Sequence, residues 1–155
     1  GGSGFGRGPG PSIMKLEDLN IGPQICYESL YPEFSAGLAK LGADILINVT
    51  NDSWFGPDFE PFQHLYMTLA RGLEVRRPLI RNTNTGVSSV ILANGKILEK
   101  SGVYQQWYGY EKIPYLKNAP QSFFTKFGTW LWAVILLLMI ATCFATRSAK
   151  KPENK

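Results

Sequence analysis

The sequence predicts a mixed α/β layer structure followed by one membrane-spanning helix. Two observations predict it. Short apolar strands alternate with helical periodicities between Leu19 and Lys100, and no charged residue occurs from Phe127 to Thr146. Strand, helix, strand, helix, strand and then a hairpin is the order expected of helices packed on a sheet.

Residues 1–12 (GGSGFGRGPGPS) are rich in Gly and Pro and read as a loop or linker. Their glycines lack the Lys-Ser/Thr that a phosphate-binding loop requires. Leu19–Cys26 (LNIGPQIC) reads as a strand in which Pro23 argues for an edge or a bulge. The Lys15–Asp18 stretch before it reads as a turn. Pro32–Leu41 suits a short helix ended by Gly42, and Asp44–Val49 (DILINV) is a buried strand. Pro61–Arg77 places Phe62, Leu65, Tyr66, Leu69 and Leu73 on one helical face. Pro61 suits the first turn of that helix, Asp58 and Glu60 favour its positive end, and Pro78 stops it. The only histidine, His64, then falls with Arg71 on the outer face. Leu79–Asn82, Ser88–Leu92 and Ile97–Lys100 read as strands, the last two joined through an Asn94-Gly95 turn.

Residues 127–146 have the length and apolarity for a bilayer core of ~30 Å, which takes about 20 helical residues. Trp130 and Trp132 lie at one end, and Arg147, Lys150 and Lys151 follow the other in a basic tail, 147–155. Basic residues favour the cytoplasmic side, so the tail is expected inside and the preceding domain outside. The net charge of +4 owes much to this tail. With no basic stripe or interleaved aromatic platform, a nucleic-acid partner is not expected. Cys143 lies within the apolar segment and is not expected to pair with Cys26. No set of His, Cys and carboxylates has metal-ligand spacing, and no metal or other cofactor is expected.

Chemistry points to Ile25-Cys26-Tyr27-Glu28, where a strand gives way to a helix. A nucleophile at such a junction is exposed, with backbone N–H groups close enough to stabilise an oxyanion. Sulfur attacks as the thiolate, so a base or a nearby cation must raise that fraction. By itself Cys26 reads more readily as a small buried residue. Asn51, Asp52, Trp54, Phe55 and Gly56 follow the second strand, where α/β proteins gather functional loops. Trp54 and Phe55 fit the entrance for an apolar chain and fit the core equally well. Arg76, Arg77 and Arg81 suit ion pairs with Glu74 or a role in fixing the loop after them.

Taken together, ICYE at 25–28, TNDSWFG at 50–56, QHL at 63–65 and RPLIRNTNTG at 77–86 resemble the nitrilase superfamily, and within it the apolipoprotein N-acyltransferases. The resemblance covers Phe5 to Lys100. It implies that 13–120 is the C-terminal half of an α-β-β-α sandwich domain, with Cys26 as nucleophile. It further implies a phospholipid acyl donor, a thioester on Cys26, and the N-terminal cysteine amine of a diacylglyceryl lipoprotein as acceptor, in ping-pong order. Tyr27, through its backbone N–H, and Glu28 are the supporting residues. Asn51, Trp54 and Phe55 are the candidates for substrate binding. The expected location is the bacterial inner membrane, with the domain periplasmic and the C-terminus cytoplasmic.

That family's catalytic Glu and Lys precede the cysteine, and Lys15, Glu17 and Asp18 match neither. The chain is therefore expected to need an N-terminal half, in cis or as a separate chain, and to be inactive alone. A membrane-tethered amidase that resolves the thioester with water is the alternative enzyme, and an anchored non-catalytic module the alternative from another class.

Overall fold

The computed structural model describes residue 6 and residues 8–149. Six strands form one sheet in sequence order: β1 (Met14–Leu16), β2 (Leu19–Ile25), β3 (Ile45–Thr50), β4 (Leu79–Thr83), β5 (Ser89–Ile91) and β6 (Ile97–Lys100). The central strands β2, β3 and β4 are parallel, and the outer pairings are antiparallel. Helix α1 (Pro32–Lys40) joins β2 to β3, and α2 (Glu60–Val75) joins β3 to β4. Both crossovers step the same way across the sheet. Right-handed connections therefore put both helices on one face, where they pack against each other.

The core lies between those helices and the sheet. Leu38 and Ala39 of α1, Val75 of α2, and Leu46, Leu79 and Ile91 of the strands form its buried cluster. Gly22 is needed for close approach, because a Cβ there would sit 2.8 Å from Leu46 Cδ2 and 3.2 Å from Leu38 Cβ. Alternation along the strands sends Pro23, Ile25, Ile47, Val49, Ile80 and Asn82 to the opposite face. Ile25 and Val49 are exposed there. Residues 105–111 and Ile113 lie over its β4–β5 end and line a cavity of about 610 Å³ with Ile80, Asn82 and Val90.

Several expectations need correction. Met14–Leu16, at the start of the expected turn, forms β1, paired with Leu19–Ile21. Because β1 stops opposite Ile21, Pro23 lies on an unpaired flank of β2 and removes no ladder hydrogen bond on that side. In α2 the buried stripe is Pro61, His64, Leu65, Thr68, Gly72 and Val75, while Phe62, Tyr66 and Leu73 are exposed. His64 is thus inside, because hydrogen bonding compensates a polar group that burial alone would penalise.

Arg77 is buried and donates through Nε to the Ala43 carbonyl at 2.7 Å and through Nη2 to that of Ala119 at 2.6 Å. Its Nη1 donates to the Val75 and Arg76 carbonyls at 3.3 and 3.1 Å. One guanidinium thus ties the end of α2 and the α1–β3 turn to the segment leading into α3 (Phe123–Ala149). Ser122 caps α3, accepting the Thr125 N–H at 3.0 Å and donating to the Glu74 carbonyl at 2.6 Å. Arg71, not Arg76 or Arg77, pairs with Glu74, at 2.8 Å.

Helix α3 begins before the expected 127 and has 27 residues. Its apolar side chains, among them Val134, Leu137, Met139 and Phe144, are exposed. Among the described residues, however, no helix is long and apolar enough to cross a membrane. The expected span is therefore not shown by the structure. Residues 150–155 of the basic tail, and 1–5 and 7 of the linker, lie outside the described residues.

Candidate active site

The carboxyl ends of β2, β3 and β4 converge at one edge of the sheet, where open α/β sheets bind ligands. Cys26 stands directly after β2 as the first residue of a 3-10 helix, Cys26–Leu30. Its φ is +50°, a left-handed conformation that a side-chain-bearing residue rarely adopts. Three hydrogen bonds hold this turn. The Cys26 carbonyl accepts from Ser29 Oγ at 3.1 Å and from Asn48 Nδ2 at 3.0 Å. Glu28 reaches back to accept the Ile25 N–H at 2.7 Å. Cys26 itself is half-buried, and both cysteines are free thiols.

Behind the turn lies a buried polar cluster. Asn48 Oδ1 accepts from Arg81 Nη1 at 2.8 Å, and Thr68 Oγ1 lies 3.3 Å from the same nitrogen and 3.0 Å from Ser29 Oγ. Arg81 Nη2 meets Asp52 Oδ2 at 2.7 Å, with both side chains wholly buried. The other Asp52 oxygen lies 3.0 Å from His64 Nδ1. Burial works against the charge on Asp52, but the His64 hydrogen bond and the Arg81 charge outweigh it and hold its carboxyl below the usual range. Burial pulls Arg81 down, against the opposing pull of Asp52. A Cβ at Gly86 would collide with the Asp52 carboxylate, so only glycine fits beside it.

Over this cluster sit three rings. Tyr27 lies 5.2 Å from His64 and 6.2 Å from Phe55 between centroids, and Phe55 meets His64 edge-on at 6.4 Å. Partial burial, then the Cys26, Glu60 and Asp52 charges, push the Tyr27 phenol up, keeping it protonated near neutrality.

Of the residues singled out from sequence, Cys26, Tyr27, Glu28 and Phe55 come together. Asn51 serves the loop itself: its Oδ1 accepts from the Ser53 backbone at 3.0 Å and from Asn84 Nδ2 at 2.7 Å. Trp54 is 83% exposed and packs into no core. Sequence reasoning missed Ser29, Asn48, Thr68 and Arg81 as partners of the cysteine, and Asp52 as their anchor. A signal was present. Leu46 and Asn48 occupy alternate positions of β3, as do Leu79 and Arg81 of β4, so the same inward face turns from apolar to polar toward Cys26. Among the described residues no group of His, Cys and carboxylates could hold a metal ion.

The site thus sets a free thiol on a strand-to-helix turn at the carboxyl edge of a mixed sheet. Residues 3–109 match the carbon–nitrogen hydrolase family, and the chain belongs to that family. It is 61% identical over 141 residues to an apolipoprotein N-acyltransferase of Bdellovibrio bacteriovorus, covering 88% of this chain and 26% of that protein. It is 38% identical over 152 residues to that of Pseudomonas putida, covering 96% and 29%. The chain thus spans between a quarter and a third of the length of these relatives. Among solved structures, a carbon–nitrogen hydrolase from Helicobacter pylori shares the fold with a TM-score of 0.58 at 18% identity, over 66% of this chain and 43% of that one. An amidase from Nesterenkonia does so at 0.52 and 21%, over 64% and 40%.

Proposed function

We propose that this chain is the nucleophile-bearing part of an apolipoprotein N-acyltransferase. The observation that carries the reading is Cys26, held in a left-handed turn at the carboxyl edge of the sheet by hydrogen bonds from Ser29 and Asn48. In the first step Sγ attacks the ester carbonyl of a phospholipid. A C–S bond forms, the ester C–O bond breaks, and the lysophospholipid leaves as an alcohol carrying the proton. The α-amine of a diacylglyceryl-cysteine then attacks the thioester. A C–N bond forms, the C–S bond breaks, and the thiol is regenerated. The Tyr27 N–H is the oxyanion donor in this scheme, Glu28 holds the turn, and Phe55 and Trp54 border the acyl chain's approach. Asn51 shapes that border through Asn84.

The Glu and Lys that complete the family's catalytic set come, in this reading, from a segment outside the chain, in cis or as a separate polypeptide. The apolar face carrying Pro23, Ile25, Ile47 and Val49 supports this, being suited to a second sheet packed about 10 Å away. Helix α3 inserts into the bacterial inner membrane with the domain periplasmic and the basic tail cytoplasmic. Support comes from the charge-free sequence 127–146, about 30 Å of helix, and from its exposed apolar side chains.

The test follows a labelled acyl chain from phosphatidylethanolamine to a diacylglyceryl peptide in the whole protein. Transfer should vanish in Cys26→Ala and Cys26→Ser. Release of free fatty acid with no labelled peptide would instead indicate water as the acceptor, and undiminished transfer without the thiol would overturn the reading.

A further inference from the structure

The scheme above leaves unused the buried cluster that underlies Cys26. Apolar residues of similar volume usually stabilise a buried site as well as an ion pair does, or better. The same strands use Leu46 and Leu79 two residues earlier on the same face, in the apolar core. The change to Asn48 and Arg81 therefore calls for a role other than stability.

Its hydrogen bonds converge on one backbone atom. Arg81 fixes Asn48 through one nitrogen, and Asn48 donates to the Cys26 carbonyl. That same nitrogen meets Thr68, Thr68 meets Ser29, and Ser29 donates to the same carbonyl. The second nitrogen of Arg81 is locked by Asp52, which His64 holds from its other side. A left-handed residue with a Cβ persists only where its surroundings over-determine it, and two independent donors on one carbonyl supply that constraint.

We infer that Arg81, clamped by Asp52 and His64, is a positioning residue that acts through Asn48, Thr68 and Ser29 to hold Cys26 in its attacking conformation. The inference rests on Cys26 being the nucleophile. The planar fork of Arg81 reaches Asn48 and Asp52 at once, which a lysine ammonium cannot reproduce. His64 and Asp52 work as the clamp of this unit rather than as a proton-transfer pair.

The test compares the whole protein with its Ser29→Ala and Arg81→Lys variants. Alkylation by iodoacetamide is read at the Cys26 peptide as a maximal, pH-independent rate, beside the thermal midpoint and the kcat and KM for phospholipid. Arg81→Lys should lower the maximal alkylation rate and kcat about tenfold or more, with KM for the donor little changed. Ser29→Ala, which removes one oxygen and keeps the fold, should lower both by a smaller factor. A purely structural role would move the thermal midpoint and leave the alkylation rate of the folded protein alone. Rates within twofold of the parent in folded Ser29→Ala would overturn the inference, even if Arg81→Lys does not fold. Should the parent protein form no acyl-Cys26, the acyl-transfer reading fails by itself, and the alkylation comparison still decides the positioning role.

Discussion

Cys26 is held in a conformation that suits glycine better. A Cβ in the left-handed region costs about 1–2 kcal/mol, which glycine escapes. Cys26→Gly should therefore be more stable than Cys26→Ala by about 1 kcal/mol in urea unfolding, reversing the usual order of these two residues. Equal or lower stability of the glycine variant would show that the turn is relaxed. Asp52 gives a second prediction. Its carboxyl is held below its ordinary value of 3.8, so the unfolded chain binds the proton more readily. Asp52 therefore contributes stability that is full above that value and is lost as the pH falls through the depressed folded value. Asp52→Asn should be less stable at neutral pH and show a shallower acid limb below the ordinary value of 3.8 in thermal melts. Cys26, Tyr27 and Glu28 were legible as a group because they are contiguous. The cluster behind the cysteine was not, because Ser29, Asn48, Thr68 and Arg81 meet only when the 3-10 helix, β3, β4 and α2 are assembled.

At the scale of elements, periodicity placed both helices and five strands within a few residues, since each carries an apolar pattern long enough to read. β1 escaped because three residues are too short a run to read as a strand, and all three are exposed. The face of α2 was misjudged for a related reason. Phe62, Tyr66 and Leu73 lie on its outside, and its inward stripe mixes Leu65 and Val75 with His64, Thr68 and Gly72, which serve hydrogen bonding and close approach. Composition reports burial only where burial is apolar. The join between the domain and α3 depends on Arg77, whose donors satisfy carbonyls of Ala43, Val75, Arg76 and Ala119. Arg77→Ala leaves the buried Ala43 and Val75 carbonyls without this donor and should destabilise the domain by about 3 kcal/mol, read as a lower denaturation midpoint at unchanged slope. Arg77→Lys should recover only part of that loss, since one ammonium cannot span all four carbonyls.

Among the described residues two apolar surfaces stand out: the side of the sheet around Ile25 and Val49, and α3 from Trp130 to Phe144. Patches of this extent on a soluble monomer mark places where something else packs. For α3, the lipid reading makes Cys143 a reporter. Its side chain is exposed on the helix, so only lipid would shield it. A membrane-impermeant maleimide should leave Cys143 unlabelled in intact vesicles and label it once detergent is added. Prompt labelling in intact vesicles would place the helix in water. For the sheet, the exposed Ile25 and Val49 fit the second sheet proposed above to pack on that face.

The covalent step at Cys26 can be read from the mass of the Cys26 peptide. The whole protein, incubated with phosphatidylethanolamine of a single acyl chain and no acceptor, should gain that chain's mass on Cys26. Hydroxylamine or a diacylglyceryl peptide should then remove it. A Cys26 peptide of unchanged mass, in a protein that still acylates the peptide when both substrates are present, would contradict the account.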